Sequence, residues 1–169
     1  NSSNWDFSIE DIEDKPHIRF GLGAIKNAGQ AAVELIIEER ESKGRFKDLN
    51  DFARRVDLRS VGKRALECLI KVGAMDCFGN RSALLASLDH IVAISSNHFR
   101  AAESGQMSLF GAGTGVVESI TLPDVNNVDR REMLNWEREL IGLYISDHPL
   151  TPYQQTFTQI VSYFSGQLP

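Results

Sequence analysis

Residues 25–36, with the sequence IKNAGQAAVELI, could bind an anion through their backbone. Lys26 and Asn27 stand in a predicted tight turn, and Gly29 precedes residues whose apolar side chains recur at helical spacing. A glycine at that place lets an anion approach the free N–H groups of the helix N-terminus, where the helix dipole favours negative charge. Lys26 adds a cation beside the same position, so the segment is suited to holding a phosphate group.

This pattern is typical of the second half of a helix-hairpin-helix motif, which contacts the sugar-phosphate backbone of nucleic acids and does not read bases. Asn27 stands where the pattern commonly has glycine, and we expect the turn to survive because asparagine tolerates left-handed backbone angles. An ordinary packing motif of two helices and a turn is the alternative. A similar pattern around Gly73, in LIKVGAMD, lacks a helix directly after the glycine and is predicted to be a packing turn.

A second segment, QMSLF at residues 106–110, could bind a protein partner. It places Leu109 and Phe110 side by side in a glycine-rich segment, residues 105–128, that is predicted to be a loop. An apolar pair in such a loop must be covered, either by the protein's own core or by a partner's pocket. A glutamine followed by a spaced aliphatic-aromatic pair resembles the peptide with which proteins dock on the bacterial sliding clamp.

The charged residues are distributed unevenly, although the net charge of −5 at first disfavours a nucleic-acid partner. Residues 40–71 contain ten basic and five acidic side chains, whereas both flanking segments are acidic. A local basic zone matters more to a polyanion than the net charge does, and Lys63 and Arg64 lie within it. The alternative is a set of solvated helix faces without any partner.

The composition excludes several other classes of protein. The 169 residues, 42% hydrophobic and 24% charged, suit one soluble globular domain or two small ones packed closely. No apolar run is long enough to cross a membrane, and the polar, acidic start is not a signal peptide. Cys68 and Cys77 cannot build a disulfide framework, which favours a reducing, cytoplasmic setting. The sequence lacks metal-ligand spacings, phosphate loops and dinucleotide fingerprints.

The hydrophobic periodicity predicts a mainly α fold: a helical domain that contains a helix-hairpin-helix motif and begins with a small β hairpin. Two short strands joined by an acidic turn are expected within residues 5–22, and no long-period repeat is expected. A capping box formed by Asp129 and Glu132 begins a helix that His148-Pro149 ends. The remaining helices are predicted over residues 30–41, 49–56, 62–72 and 80–103.

Several stretches of the chain, in order, resemble the C-family replicative polymerases, the alpha subunits of bacterial DNA polymerase III. The similarity covers about residues 17–153 and is more specific than either motif alone. The stretches that carry it are residues 18–27, 46–49, 54–57, 63–64, 69–76, 80–81, 105–111 and 136–144, followed by His148-Pro149-Leu150.

The resemblance implies how the chain is divided and what it contacts. Residues 1–79 would contain the end of the fingers with the duplex-binding helix-hairpin-helix region. Residues 80–169 would contain the clamp-binding region, ahead of an oligonucleotide-binding-fold domain outside this chain. The DNA backbone would be contacted by Lys26, Asn27, Ala28, Gly29, Lys63 and Arg64, and the clamp by Gln106, Met107, Ser108, Leu109 and Phe110.

The resemblance also implies what the chain does not do. The family's catalytic aspartates lie in a palm domain outside this sequence, so we expect no polymerase activity, catalytic residue, metal site or cofactor in these residues. The whole DNA-directed DNA polymerase would use Mg²⁺. The expected partners are template-primer duplex, the sliding clamp and other subunits of the polymerase III holoenzyme, and no membrane is expected.

Two other functions remain open from the residues. A helix-hairpin-helix DNA repair enzyme would need a catalytic Asp or Lys in an apolar pocket after the hairpin, and Asp48 stands at a suitable place in the sequence, although its charged neighbours suggest that it is solvated. A purely structural connector would use the hairpin and the loop only for packing. Burial of Leu109 and Phe110 within the domain itself would favour that function.

Overall fold

The computed structural model of the chain describes residues 1–104 and 119–161, and its described part is mainly helical. A two-stranded antiparallel sheet, β1 (Ser8–Ile12) and β2 (Lys15–Arg19), precedes the helices. The helices are α1 (Gln30–Lys43), α2 (Leu49–Arg55), α3 (Leu58–Val61), α4 (Lys63–Lys71), α5 (Arg81–Ala86), α6 (Leu88–Glu103), α7 (Arg130–Leu140) and α8 (Gln154–Ile160). The predicted fold class, a mainly α domain with a small N-terminal β hairpin, is confirmed.

The β hairpin forms because its two-residue turn has the backbone twist that antiparallel strands require. Glu13 and Asp14 have φ angles of 52° and 60°, the left-handed conformation of a type I′ turn. The register places Ile9 opposite Ile18 and Ile12 opposite Lys15. The two strands and the acidic turn predicted within residues 5–22 are therefore confirmed.

One hydrophobic cluster holds the described helices together. It extends from Ile25 at the first turn to Ile120 within the 105–128 segment, and its members come from both halves of the chain. The Ser95 hydroxyl is buried in α6, donates to the Val56 carbonyl at 2.9 Å and accepts from the N–H of Leu58 at 3.1 Å. This pair of bonds fixes α6 against the junction of α2 and α3, which carries part of the candidate site.

Three details differ from the helices that the sequence predicts. The helix expected over residues 80–103 is divided at Ser87, whose N–H bonds the carbonyls of both Ala83 and Leu85 and so closes α5 before α6 begins. The expected end of α7 at His148-Pro149 is wrong, because Gly142 adopts φ 86° and caps the carbonyls of α7 shortly after Leu140. The short helix α3 was not expected.

The first turn of α7 is capped, but not by the predicted box. The Asp129 carboxylate accepts the N–H of Arg131 at 3.0 Å, one residue earlier than the box requires. Within residues 1–104 and 119–161, no helix is both long and apolar enough to cross a membrane.

Candidate nucleic-acid interface

The first hairpin turn, residues 25–29, has the geometry that its sequence predicts. Asn27 adopts φ 64°, which confirms that asparagine supports the left-handed turn where glycine is common. Gly29 is the N-cap residue of α1, with φ 73° and ψ 134°. Among the described residues, nothing lies within 4 Å of where a Cβ on Gly29 would be. The N-terminus of α1 is therefore open to solvent and strained for any residue other than glycine.

The first N–H groups of α1 have no side-chain cap, since Gly29 carries no side chain and the first helical turn contains no acidic residue. Gln30, next in the chain, directs its amide to Glu34 instead of to the helix end. Four other helices of the described chain receive a cap from the preceding side chain, which accepts a backbone N–H: Asp48 for α2, Asp57 for α3, Asn80 for α5 and Asp129 for α7. The free donors at α1 can therefore bind an external anion.

A second turn of the same geometry lies at Gly62, between α3 and α4. Gly62 is the N-cap residue of α4, with φ 83° and ψ 141°, and it too has open space at its Cβ position among the described residues. The first turn of α4 has neither a side-chain cap nor an acidic residue. Residues 58–71 therefore form a second pair of helices joined by an open glycine turn.

The two hairpin turns share a short sequence pattern. Residues 28–33, AGQAAV, and residues 61–66, VGKRAL, share the order of an apolar residue, a glycine, two variable residues, an alanine and an apolar residue. The equivalent pairs are all buried: Ala28 and Val61, Ala32 and Ala65, Val33 and Leu66. The similarity covers six residues at two glycine turns, and the expectation that the chain has no long-period repeat stays a prediction.

Gly73, the glycine of the second hairpin-like pattern in the sequence, is a packing position as predicted. It has φ 81°, but a Cβ there would collide with the guanidinium of Arg81. No α-helix follows it directly, because a short 3-10 turn, Asp76–Phe78, comes next. The predicted packing turn around Gly73 is confirmed.

The first hairpin turn lies beside α4, the helix that the second turn begins. Burial is the main cause that raises the pKa of the Cys68 thiol on α4, and Asn27, in the first turn, is one of the groups that lower it. The charge of Arg64, one helical turn earlier than Cys68, acts in the same direction as Asn27. Asn27 and Arg64 therefore both lie close to Cys68, which brings the first turn beside the helix that the second turn begins.

Unpaired cations accompany both turns. Lys26 and Arg64 are exposed and make no ion pair with any described residue. Lys63 is also exposed, and its Nζ lies 2.6 Å from Oδ1 of Asp89. Because both members of that pair are largely exposed, the ion pair is worth little and Lys63 can exchange it for another anion.

The rest of the basic zone is mostly committed to contacts within the protein. The cations of residues 40–71 that form ion pairs with carboxylates, besides Lys63, are Arg40, Lys43, Arg55, Arg59 and Lys71. Arg55, for example, is already bound within the protein, since its Nη2 donates to the backbone carbonyls of Glu39 and Gly44 at 2.7 and 2.8 Å. The interface therefore depends on the cations at the two turns more than on the whole zone.

Ala28 differs from its neighbours in the first turn. Its side chain is 2% exposed, and its N–H donates to the Ile25 carbonyl at 3.3 Å. The residue anchors the turn to the core, while Lys26, Asn27 and Gly29 remain exposed.

The opposite side of the first turn is tied to α7. The N–H of Lys26 donates to the Leu140 carbonyl at 2.8 Å, at the end of that helix. The helix itself is held by a buried ion pair between Arg81 and Glu137, with side chains 6% and 0% exposed. The position of the first turn therefore depends on how α7 packs against the rest of the protein.

Two further expectations concern the clamp-binding segment and Asp48. The clamp-binding residues Gln106, Met107, Ser108, Leu109 and Phe110 lie outside the described residues. Asp48, the candidate of the repair-enzyme alternative, is a helix cap whose carboxylate accepts the N–H of Asp51 at 2.8 Å. Within residues 1–104 and 119–161, no group of acidic, histidine and cysteine side chains is arranged to hold a metal ion.

Comparison with known proteins gives a consistent family. Residues 1–84 match the family model described as a helix-hairpin-helix motif. The chain is 41% identical over 153 residues to a DNA polymerase III subunit alpha of Thermus aquaticus, which covers 90% of this chain and 12% of that protein. It is 39% identical over 154 residues to the same subunit of Vibrio cholerae, covering 89% of this chain and 13% of that protein.

A third relative, the DNA polymerase III subunit alpha of Borreliella burgdorferi, is 38% identical over 149 residues, which are 86% of this chain and 13% of that protein. The chain thus spans about an eighth of the length of the curated relatives that it matches. It belongs to the DNA polymerase III alpha-subunit family, in a region that contains the helix-hairpin-helix motif.

Proposed function

We propose that the chain holds template-primer duplex through its sugar-phosphate backbone and docks on the sliding clamp, as a non-catalytic segment of a replicative DNA polymerase. The observation that carries the first half is the pair of uncapped helix N-termini at Gly29 and Gly62. Each offers free N–H donors and positive dipole potential beside a free cation, Lys26 or Arg64. The relatives are DNA polymerase III alpha subunits, so DNA phosphates are the anions that we assign to this geometry.

Contacts of this kind are independent of base sequence. A hydrogen bond to a charged group is worth about 1.5–3 kcal/mol and a helix dipole adds roughly 0.3–1 kcal/mol, so one turn alone binds weakly. Two turns on adjacent helices, with Lys26, Arg64 and the exchangeable Lys63, contact several phosphates at once. A replicative polymerase needs such a grip, because it must advance along every sequence.

The clamp-docking half of the proposal rests on residues 106–110, in the order Gln-Met-Ser-Leu-Phe. A peptide that enters a pocket of a ring around the same duplex would raise the local concentration of the polymerase at the primer end. The two weak contacts would then support processive synthesis without one tight interface.

The remaining roles belong to the longer polypeptide. We assign residues 1–79 to the end of the fingers with the duplex-binding region and residues 80–169 to the clamp-binding region. Nucleotidyl transfer with Mg²⁺, the other holoenzyme subunits and a cytoplasmic setting are proposals for the whole polymerase.

The experiment compares three glycines that share a positive φ and open surroundings: Gly29 and Gly62 at helix N-termini, and Gly44 at the C-terminus of α1. Gly29→Asp and Gly62→Asp place a carboxylate where a phosphate would bind, and Gly44→Asp imposes similar backbone strain away from the site. Fluorescence anisotropy with a primer-template duplex at low salt should show each N-terminal variant losing affinity on the order of tenfold, equivalent to about one charge-assisted hydrogen bond.

Gly44→Asp should bind the duplex like the wild type. If all three variants bind the duplex as tightly as the wild type, the hairpin turns do not contribute to duplex binding. The repair-enzyme alternative is disfavoured by the capping role of Asp48, and base excision that Asp48→Asn abolishes would restore it. The connector alternative predicts that neither duplex nor clamp binds the folded chain.

A further inference from the structure

One face of the β hairpin is apolar and uncovered by the described residues. The register places Ile9 opposite Ile18, and these two side chains are 78% and 74% exposed. Phe7 and Phe20 continue the same face toward the body of the protein, with ring centroids 4.7 Å apart in an edge-to-face contact. Pro16 belongs to this face too, since successive residues of a strand alternate between the two sides. We call these five residues the apolar hairpin face.

The opposite face of the hairpin is polar apart from Ile12, and its base, with Glu10 and Arg19, faces the body. Nε of Arg19 donates to Glu10 at 2.7 Å, and both residues line a cleft with Arg40 of α1. The base of the hairpin is fixed by backbone bonds from Leu22 to Asn4, at 2.8 Å, and from Gly23 to Trp5. The hairpin is therefore held in one orientation, with its polar side inward and its apolar side outward.

This arrangement reverses the usual pattern of a two-stranded sheet. A pair of strands is marginally stable alone and needs further strands or a packed face. A contiguous exposed apolar patch marks an interaction site. Ile18 and Phe20 also line a cleft of about 270 Å³, together with Glu10 and Arg19 of the opposite face and with Ile25, Ile141 and Ile145 of the body. A partner could therefore fill the cleft and cover the strands together.

The charges around the face decide which class of partner fits. Asp6, Asp11, Glu13 and Asp14 are all exposed, and none of them forms an ion pair with a described residue. DNA would be repelled by these carboxylates and would gain nothing from apolar side chains. A second copy of the chain would bring two acidic rims together across a two-fold axis. A protein surface with an apolar centre and a basic rim is complementary.

We infer that the apolar hairpin face is an interdomain docking surface, covered by a segment of the polymerase polypeptide outside residues 1–169 that has apolar side chains at its centre and Lys or Arg at its rim. The chain spans about an eighth of the length of its relatives, so polypeptides of this family contain ample sequence to supply such a segment. This inference does not depend on DNA binding by the hairpin turns.

Photocrosslinking in the complete alpha subunit tests the inference. The variant Ile9→p-benzoylphenylalanine places a photoprobe at the centre of the face, and His17→p-benzoylphenylalanine places the same probe on the opposite, polar face. We expect Ile9→p-benzoylphenylalanine to crosslink to one peptide of the same polypeptide outside these 169 residues, with basic residues near the crosslink. Adding Asp11→Lys, Glu13→Lys and Asp14→Lys should lower that yield severalfold, and the His17 probe should not reach that peptide.

Other outcomes overturn the inference. A crosslink within residues 1–169 would mean that the chain covers its own hairpin, and a crosslink between two subunits would identify a second copy. Crosslinking to added duplex DNA would make the face a nucleic-acid surface. A complete, folded subunit without any crosslink from the Ile9 probe would show that the face stays exposed to solvent.

Discussion

Arg81 and Glu137 form a buried ion pair, with Nη1 of the arginine 3.2 Å from Oε1 of the glutamate. The pair joins the start of α5 to the middle of α7. Each partner is satisfied by further bonds: Arg81 donates to Asp76, to the Lys71 carbonyl and to Ser146, while Glu137 accepts the N–H groups of Ile145 and Ser146.

This ion pair determines where the first hairpin turn lies. Glu137 fixes α7, and the carbonyl of Leu140 at the end of α7 accepts the N–H of Lys26. Arg81 also packs against Gly73, which has no side chain and leaves room for the guanidinium. This series of contacts therefore connects the proposed duplex-binding turn to α7, the helix that follows the proposed clamp peptide.

Removing one partner of the pair should destabilise the fold strongly. We predict that Glu137→Ala lowers the free energy of unfolding by about 3–5 kcal/mol, because the buried Arg81 loses one of its two carboxylate partners and the N–H groups of Ile145 and Ser146 lose their acceptor. Urea unfolding measures this, and Glu139→Ala, at an exposed position of the same helix, should change it by less than about 0.5 kcal/mol. Equal stability of the two variants would show that the pair does not hold α7.

The same pair predicts a dependence of stability on pH. Burial alone raises the pKa of Glu137, but hydrogen bonds from Ser146, Ile145 and Arg81 outweigh it, so the pKa lies below the ordinary value of 4.5. A carboxyl with a lowered pKa stabilises the fold fully above its ordinary pKa, and this contribution is lost as the pH falls through the lowered value.

Wild type should therefore exceed Glu137→Gln in unfolding free energy by a constant amount above about pH 4.5. The difference should shrink at lower pH, as Glu137 takes up a proton in both the unfolded and the folded protein. Urea unfolding from pH 7 downward measures it. A difference that does not change with pH would contradict the role of the ionised carboxylate.

The hairpin cations should set the salt dependence of duplex binding. We predict that Lys26→Ala and Arg64→Ala each reduce the slope of log K against log salt by about 0.9, the value for one phosphate contact on B-form DNA. Arg100→Ala removes an exposed cation of α6 that has no ion pair with a described residue, and it should leave the slope unchanged. If all three variants have the same slope as the wild type, the DNA phosphates bind elsewhere on the protein.

The clamp peptide should be separable from the duplex grip. We predict that the triple variant Gln106→Ala, Leu109→Ala and Phe110→Ala loses binding to a bacterial sliding clamp in calorimetric titration and keeps its affinity for duplex DNA. The apolar pair supplies the pocket contact and the glutamine anchors it, while none of the three residues belongs to a hairpin turn. Unchanged clamp affinity would contradict the assignment of residues 106–110.

The sequence predicts local features of this fold well, because they depend on neighbouring residues. The acidic turn between the two strands and the left-handed Asn27 follow from the residues at those positions and their immediate neighbours, whereas the I′ type of the Glu13-Asp14 turn does not. The end of α7 differs from the prediction because Gly142, and not His148-Pro149, closes the helix. The turn at Gly62 is hard to recognise from the sequence because the polar residues differ between the two turns, whereas the buried alanines and apolar residues agree.

The charge pattern was harder to interpret. Residues 40–71 suggest a broad basic surface, yet Arg59 pairs with Glu103 and Lys63 with Asp89, both far away in the sequence. Such partners are known only once the helices are packed. The distinction between committed cations and the free Lys26 and Arg64 therefore required the structure.

The most direct test of the central claim observes the backbone N–H groups themselves. A primer-template duplex titrated into the ¹⁵N-labelled chain should shift the amide signals of residues 30–32 and 63–65, at the uncapped ends of α1 and α4. The amides of residues 49–51, at the end of α2 that Asp48 caps, serve as the internal control and should not move. Shifts confined to other surfaces, or shifts at the capped and uncapped helix ends alike, would contradict the account.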